Sequence, residues 1–222
     1  MRRCFLYRID APVTQTRTSR TTRVSRLLRG GVEGNERLTG TSALLLLVLL
    51  AAESATIPFV RQQLTLHIFL GLLLIPPVLL KLGSTGWRFA RYYLRDAAYV
   101  RRGPPHAFLR LVVAPLTVAS TAALFATGVA LVIVQPQQGL IVGLHKASFV
   151  VWFGAMGVHV LTHVLKVPRL ARADYVGASE GVWLRQFAIA AALVAGVIVA
   201  IAALPAAHDW AHWAALHHHE DH

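Results

Sequence analysis

Apolar residues in this chain come in five blocks, each about as long as a bilayer is thick. A helix needs about 20 consecutive apolar residues to cross the hydrocarbon core. The pattern therefore predicts an all-α integral membrane bundle of five transmembrane helices, forming one domain over residues 39–205. The blocks lie at about residues 39–59, 63–82, 108–134, 141–166 and 183–204.

Composition supports a membrane protein. The chain is 55% hydrophobic and its mean hydropathy is +0.54, which is too apolar for an ordinary soluble domain. The formal charge of +12 does not indicate nucleic-acid binding, because the basic residues lie between the apolar blocks, where anionic lipid head groups meet them. A single cysteine, Cys4, excludes an internal disulfide, and covalent haem attachment is excluded because the chain has no C-x-x-C-H.

The basic residues also predict the orientation of the chain. Nine arginines precede the first block, seven Lys or Arg residues lie in and around the second connection, and four lie around the fourth. The opposite side has only Arg61 and Lys146. Because cytoplasmic loops carry the excess of Lys and Arg, we predict a multi-pass protein of the plasma membrane with a cytoplasmic N-terminus and an extracytoplasmic C-terminus.

The two ends of the chain differ from the apolar domain. Residues 1–38 are basic and rich in Thr and Ser, which predicts a disordered cytoplasmic arm. Residues 206–222 hold six histidines, with His208 and His212 one helical turn apart. We predict a solvated, His-rich extracytoplasmic tail that binds divalent metals only adventitiously.

The connection at 83–107 predicts a basic interfacial helix after the second span. Its arginines recur at spacings of three, four and seven, which places them on one helical face, and its aromatic residues are of the kind that seek membrane interfaces. The pattern favours a helix on anionic lipid, or a cytoplasmic extension of the second span, over a docking surface for an acidic partner. The arginines of this face are Arg88, Arg91, Arg95 and Arg102, and the candidate interface residues are Trp87, Arg88, Arg91, Tyr92 and Arg95.

Three histidines in the fourth block indicate a site inside the membrane. His145, His159 and His163 share one helical face, because they are separated by nearly whole numbers of turns. Ionisable groups within a bilayer are rare and are functional candidates by default. His67, in the second block, and His145 each lie about 6 Å below the outer edge, at a rise of about 1.5 Å per residue. These two imidazoles are therefore predicted to face each other.

Two imidazoles at one depth on facing helices form the ligand set of a b-type haem. We predict that His67 and His145 bind the iron of one haem b. A second haem would use His159, but the residue fourteen after His67 is Lys81, so the second span offers no partner at that depth. One haem is favoured over two, and His159 and His163 are otherwise interpreted as hydrogen-bonded interior histidines.

Other residues near this level are candidates for supporting roles. Glu53 lies in the outer third of the first span and could hold the second ring nitrogen of a ligand histidine, relay a proton to a quinol, or reach interfacial water. The outer-side cations Arg61 and Lys146 could pair with haem propionates. Gly71 and Gly143 would let a flat macrocycle approach the backbone.

Several segments resemble a family of small bacterial, largely actinobacterial, membrane proteins that are similar to cytochrome b and ferric-reductase-like membrane domains. The resemblance covers about residues 38–205, and it implies haem-dependent electron transfer, with a molybdopterin-dependent oxidoreductase as a possible partner. The segments are Leu66-His67, Lys81, Gly86 to Tyr93, Gly103-Pro104-Pro105, Leu144 to Phe149, and His159.

We therefore expect a membrane b-type cytochrome subunit that passes electrons to or from a separate redox partner or quinone. A self-contained reductase is not expected, since no segment for binding FAD or NADPH is present. The alternative from another class is a cofactor-free membrane anchor that recruits a partner through the basic segment at 83–107. A small transporter or metal-handling protein is a third reading, and it is the weakest because no inverted repeat is evident.

Overall fold

The computed structural model describes residues 31–96, 100, 108–134, 139–163 and 182–216. Apart from short turns these residues are helical, and none of them is in a strand. A 3-10 turn at Ile57–Phe59 follows the first helix, and a π-helical turn at Leu109–Val113 precedes the third. The helices are α1 (Gly31–Thr56), α2 (Leu64–Tyr93), α3 (Ala114–Val134), α4 (Gly139–His163), α5 (Val182–Ala202) and α6 (Leu204–Leu216).

The helices α1 to α5 are long and apolar enough to cross a membrane, which confirms the predicted five-span, all-α bundle of a multi-pass membrane protein. Large apolar side chains point away from the bundle, including Val48, Ile133 and Leu161, which are 62%, 72% and 76% exposed. Such a surface suits lipid rather than water. The helix α1 begins at Gly31, inside the predicted basic arm, and residues 1–30 of that arm lie outside the described residues.

Successive helices form two hairpins. A tight turn joins α1 to α2, in which the backbone amides of Gln62 and Gln63 donate to the carbonyl of Phe59 at 3.0 and 2.9 Å. The helices α3 and α4 form the second hairpin. Because consecutive spans cross a membrane in opposite directions, both turns lie at one membrane surface, which we call the hairpin side. The opposite surface, beyond which α2 continues to Tyr93, we call the extension side.

The helix α2 is the centre of the packing, since α1, α3, α5 and α6 all contact it. Its residues Leu72, Leu73 and Leu74 are at most 8% exposed, and Ala200 of α5, which packs in the same cluster, is 1% exposed. Pro76 and Pro77 lie inside α2 without ending it. The closest approach is at Gly196 of α5, where a methyl group would overlap the backbone carbonyl of Leu73.

Polar groups inside the spans are paired between neighbouring helices. The indole N–H of Trp152 in α4 donates to the hydroxyl of Thr121 in α3 at 3.1 Å, and Thr121 donates in turn to the carbonyl of Thr117 at 2.6 Å. Trp152 and Thr121 are buried. In hydrocarbon an unpaired polar group is costly, so this bond helps to fix how α3 and α4 pack.

A second polar cluster joins α1 to α2 towards the extension side. The ammonium group of Lys81 donates to the carbonyl of Thr39 at 2.6 Å, and the side-chain amide of Asn35 donates to the carbonyl of Ser84 at 3.1 Å. The hydroxyls of Thr39 and Ser84 lie 3.1 Å apart. Lys81 therefore faces α1, and its charge is held by a backbone carbonyl rather than by a carboxylate.

The beginning of the His-rich tail is a packed helix. The indole N–H of Trp210 in α6 donates to the carbonyl of Leu131, near the end of α3, at 2.7 Å, and Ala207 is 1% exposed. His208 and His212 are exposed on the same helix. Residues 217–222, which include the three consecutive histidines, lie outside the described residues. The solvated tail that we predicted at 206–222 is thus helical and anchored up to Leu216.

We expect Gly196→Ala to lower the stability of the bundle by about 1–3 kcal/mol, because the new methyl group must push the Leu73 backbone of α2 away from α5. Thermal unfolding in detergent would measure it. Gly154→Ala is the matched control, since the methyl group there meets nothing within 4 Å. Equal melting temperatures for the two variants would contradict the close α2–α5 contact.

Candidate functional site

The turn between α1 and α2 brings Glu53 and Thr56 against His67. The Nδ1 atom of His67 lies 2.9 Å from the Oε1 atom of Glu53 and 2.9 Å from the hydroxyl of Thr56. The side chains of His67 and Glu53 are 23% and 15% exposed. Glu53 and Thr56 lie near the end of α1 and His67 near the start of α2, so the hairpin itself assembles this cluster.

The hydrogen bonds of Thr56 determine which ring nitrogen of His67 carries the proton. The hydroxyl of Thr56 donates its only proton to the carbonyl of Glu53, at 2.6 Å, so it acts as an acceptor toward His67. The carboxylate of Glu53 is also an acceptor. Nδ1 of His67 is therefore the protonated nitrogen, and in the neutral ring the lone pair of Nε2 is left for another partner.

The second hairpin repeats this arrangement around His145. The Nδ1 atom of His145 lies 3.0 Å from the hydroxyl of Thr127 in α3. That hydroxyl donates to the carbonyls of Ala123 at 2.8 Å and Leu124 at 3.0 Å, so it accepts from the imidazole. His145 thus also has a protonated Nδ1, and its Nε2 is the nitrogen with an available lone pair.

One glycine provides the space for the His145 ring. A methyl group at Gly128 of α3 would lie 3.2 Å from the Cε1 atom of His145, which is a tight contact, whereas one at Gly71 of α2 would make ordinary van der Waals contact, 3.6 Å from the Oε1 atom of Glu53. Gly143, which we predicted to flank a macrocycle, has open space beside it. The glycine that makes room for the His145 ring is therefore Gly128, on the neighbouring helix.

His67 and His145 lie on the same side of the bundle. Each is bonded to a threonine of its own hairpin, His67 near the start of α2 and His145 near the start of α4. The helices α2 and α4 are not among the helix pairs that pack extensively in the described part of the chain.

One polar atom at this site lacks a partner. The Oε2 atom of Glu53 is buried and has no hydrogen-bond partner among the described residues. A buried carboxylate oxygen left unpaired is costly, so this atom is a natural acceptor for a ligand. Among the same residues, no three His, Cys, Asp or Glu side chains are arranged to hold a bare metal ion, but a haem iron needs only two axial ligands.

The remaining histidines and cations are placed differently. Arg61, near the α1–α2 turn, and Lys146, beside His145, are exposed on the hairpin side. His159 lies further along α4, is half-buried and has a polar or electrostatic contact of its own. His163 is the last residue of α4 that the structure describes, and its side chain lies outside the described residues. The structure brings Glu53, but not His159, to the His67 imidazole.

The candidate interface residues lie at the end of α2. Arg91 pairs with Asp96 at 2.6 Å and stacks on Trp87, with 5.4 Å between the guanidinium carbon and the ring centroid. Tyr92 contacts the ring of Tyr93. Arg88 and Arg95 are exposed. The α-helix ends at Tyr93, so the helical face that was predicted to run from Arg88 to Arg102 is interrupted before Arg95. Arg102 itself lies outside the described residues.

Sequence reasoning missed the hydroxyl partners of both histidines. Thr56 and Thr127 are polar residues near the hairpin ends of apolar helices, at nearly the same depth as the histidines. Comparing depths along the helices, which paired His67 with His145, would also have identified these two threonines. Gly128 had no comparable signal, because its contact depends on how α3 and α4 are rotated against each other.

Comparisons with known proteins found no matching family model, no matching curated protein and no matching solved structure.

Proposed function

We propose that this protein is a membrane b-type cytochrome subunit, in which Nε2 of His67 and Nε2 of His145 bind the iron of one haem b. The observation that carries this proposal is that both imidazole rings use Nδ1 for hydrogen bonding and leave Nε2 as the nitrogen with a lone pair. Nδ1 of each ring is bonded to a threonine hydroxyl, and Nδ1 of His67 also to Glu53, as is usual for histidines that bind a metal through Nε2.

The surroundings of the two rings fit this role. Both imidazoles lie on apolar helices long enough to span a membrane, where a hydrophobic cofactor is favoured. When bound, haem would supply one-electron transfer, while the chain supplies position, ligands and a low dielectric. Arg61 and Lys146 are exposed cations on the same side and are our candidates for pairing with the propionates.

Glu53 is the residue that we expect to tune this site. A carboxylate that accepts a hydrogen bond from a ligand imidazole makes the ring more basic and a stronger electron donor. That favours the ferric over the ferrous state and lowers the reduction potential. The unpaired Oε2 atom of Glu53 could in addition accept a hydrogen bond from a quinol, which would make quinone the mobile electron carrier.

The charge distribution supports the proposed topology in the plasma membrane. On the extension side the described cations include Lys81, Arg88, Arg91 and Arg95, whereas the hairpin side has Arg61 and Lys146. By the positive-inside rule the extension side is cytoplasmic and the haem site is near the extracytoplasmic surface. A separate redox protein, of the molybdopterin oxidoreductase type implied by the resemblance, remains part of the proposal.

A cofactor-free membrane anchor is the second candidate. It is favoured by the exposed aromatic residues beyond the bundle, where Trp87, Phe89 and Tyr93 are 50%, 48% and 53% exposed. An anchor would use this surface to hold a partner and would need neither imidazole. The two candidates differ in colour, because the purified anchor would show no haem absorption.

The first test is haem binding by the purified protein. After expression with ample haem, we expect a b-type reduced-minus-oxidised spectrum, and we expect His67→Ala and His145→Ala each to abolish it, since each removes one axial ligand. His159→Ala is the matched control on the same helix as His145 and should keep the spectrum.

Two results would overturn this assignment. A colourless wild-type preparation would exclude the cytochrome and favour the anchor. Loss of the spectrum in His159→Ala together with its retention in His145→Ala would show that α4 supplies a different ligand. Circular dichroism of each variant would establish that the helices are still formed.

The second test is the reduction potential. Glu53→Gln keeps an acceptor near Nδ1 of His67 but removes the negative charge, so we expect the midpoint potential to rise by about 40 mV, corresponding to a difference of about 1 kcal/mol between a charged and a neutral acceptor. Spectroelectrochemical titration would measure it. Thr127→Val, which removes the neutral acceptor of His145, should shift the potential less. An unchanged potential in Glu53→Gln would show that this carboxylate does not act on an axial ligand.

A further inference from the structure

Each imidazole of the candidate site is held within its own hairpin. His67 is bonded to Glu53 and Thr56 in the first hairpin. His145 is bonded to Thr127 in the second. These bonds fix each ring against its own pair of helices. They do not fix how far apart the two rings are, because that distance depends on how the hairpins are joined to each other.

The second hairpin is joined to the rest of the bundle through α3. Among the described residues, α3 contacts α2 and α6 as well as its hairpin partner α4, whereas α4 packs extensively only on α3 and on the turn before it. The direct contact between α2 and α3 is less extensive than the contact within either hairpin. It includes Val129, which packs against the cluster around Leu72 and Leu73. A further connection between the hairpins runs through α6.

The helix α6 is attached to both hairpins. On the side of the first hairpin, Ala203, which directly precedes α6, packs against the core cluster of α2, and Ala207 within α6 is 1% exposed. On the side of the second hairpin, the indole N–H of Trp210 donates to the carbonyl of Leu131 in α3 at 2.7 Å. One short helix thus contacts α2 and is hydrogen-bonded to α3.

The Trp210 bond meets α3 close to the groups that hold His145. Leu131 is four residues after Thr127, which is about one helical turn, and three residues after Gly128. It lies in the last turn of α3, where helix carbonyls take partners from outside the helix. Because this bond is partly buried, removal of the indole N–H would leave the carbonyl poorly satisfied.

We infer that Trp210 is a positioning residue, through which α6 holds the second hairpin against the first and sets the separation of His67 and His145. Trp210 acts through the backbone of α3, so its ring does not have to touch a cofactor. The joining of the hairpins does not depend on haem. The consequence for a haem between the two imidazoles rests on the proposed function.

Distances between two spin labels test this role in the haem-free protein. The labels are attached to Arg61→Cys in the α1–α2 turn and to Ile133→Cys near the end of α3, which are both exposed positions. A Cys4→Ser background removes the native thiol. Double electron–electron resonance then reports the spacing of the hairpins. We expect a narrow distribution of distances with Trp210 in place and a broader one in Trp210→Phe, which keeps an aromatic ring but has no N–H.

Trp152→Phe is the matched control, because it also removes one indole hydrogen bond, in this case between the two helices of the second hairpin. Each variant should lower the melting temperature by about 2–4 °C, as expected for the loss of one hydrogen bond. Only Trp210→Phe should broaden the distribution of distances. An unchanged distribution in Trp210→Phe, or an equal broadening in Trp152→Phe, would overturn the positioning role and leave Trp210 as a packing residue.

The consequence for the two imidazoles is measured in the haem-loaded protein. The largest g value of a ferric haem with two axial imidazoles depends on the angle between the ring planes. Electron paramagnetic resonance should therefore show a shifted g value in Trp210→Phe, with haem still bound. A broadened label distribution with an unchanged g value would overturn the effect on the imidazoles. A colourless wild type would overturn the proposed function alone, because the label distances decide whether Trp210 joins the hairpins.

Discussion

The hydrogen bond between His67 and Glu53 links the end of the first span to the start of the second, and the candidate site depends on it. Neither group can be left alone in hydrocarbon, because an unpaired imidazole or carboxylate there is costly. The tight turn after Phe59 places them within 2.9 Å of each other. Once Nδ1 of His67 is committed in this way, the orientation of the ring and the nitrogen that it offers to a ligand both follow.

The two hairpins meet the same requirement with the same chemistry. In each, a threonine hydroxyl donates to its own helix backbone and accepts from a histidine of the next helix, at 2.9 Å for Thr56 and 3.0 Å for Thr127. The hydroxyl costs its helix little, because the carbonyl that receives its proton is local. Both imidazoles on the hairpin side therefore carry a proton on Nδ1.

The five spans could be predicted from the sequence because a block of about 20 apolar residues has few stable structures other than a membrane-spanning helix. Depth also placed Glu53 near His67, since helical rise is regular. Rotation of one helix against another could not be predicted. Gly196 against Leu73, Gly128 against His145 and the turning of Lys81 toward Thr39 depend on how neighbouring side chains interlock. The partner of Arg91 could not be predicted either. Helical spacing grouped Arg91 with the other arginines, whereas in the structure it pairs with Asp96, five residues later.

The long helix α2 also constrains how a single haem could be used. His67 and Arg88 are 21 residues apart on it, about 31 Å, or the thickness of the hydrocarbon core. Electron tunnelling falls off exponentially with distance, so a haem at His67 cannot exchange electrons directly with a protein docked at the extension side. With one haem, electrons must enter and leave near the hairpin side, or travel on a quinone within the bilayer.

A redox partner on the extension side would require a second cofactor near His159. Lys81 could not be a ligand for that cofactor, because its ammonium group is bonded to the carbonyl of Thr39. The one-haem proposal therefore confines electron transfer to the hairpin side and gives the basic end of α2 no part in it.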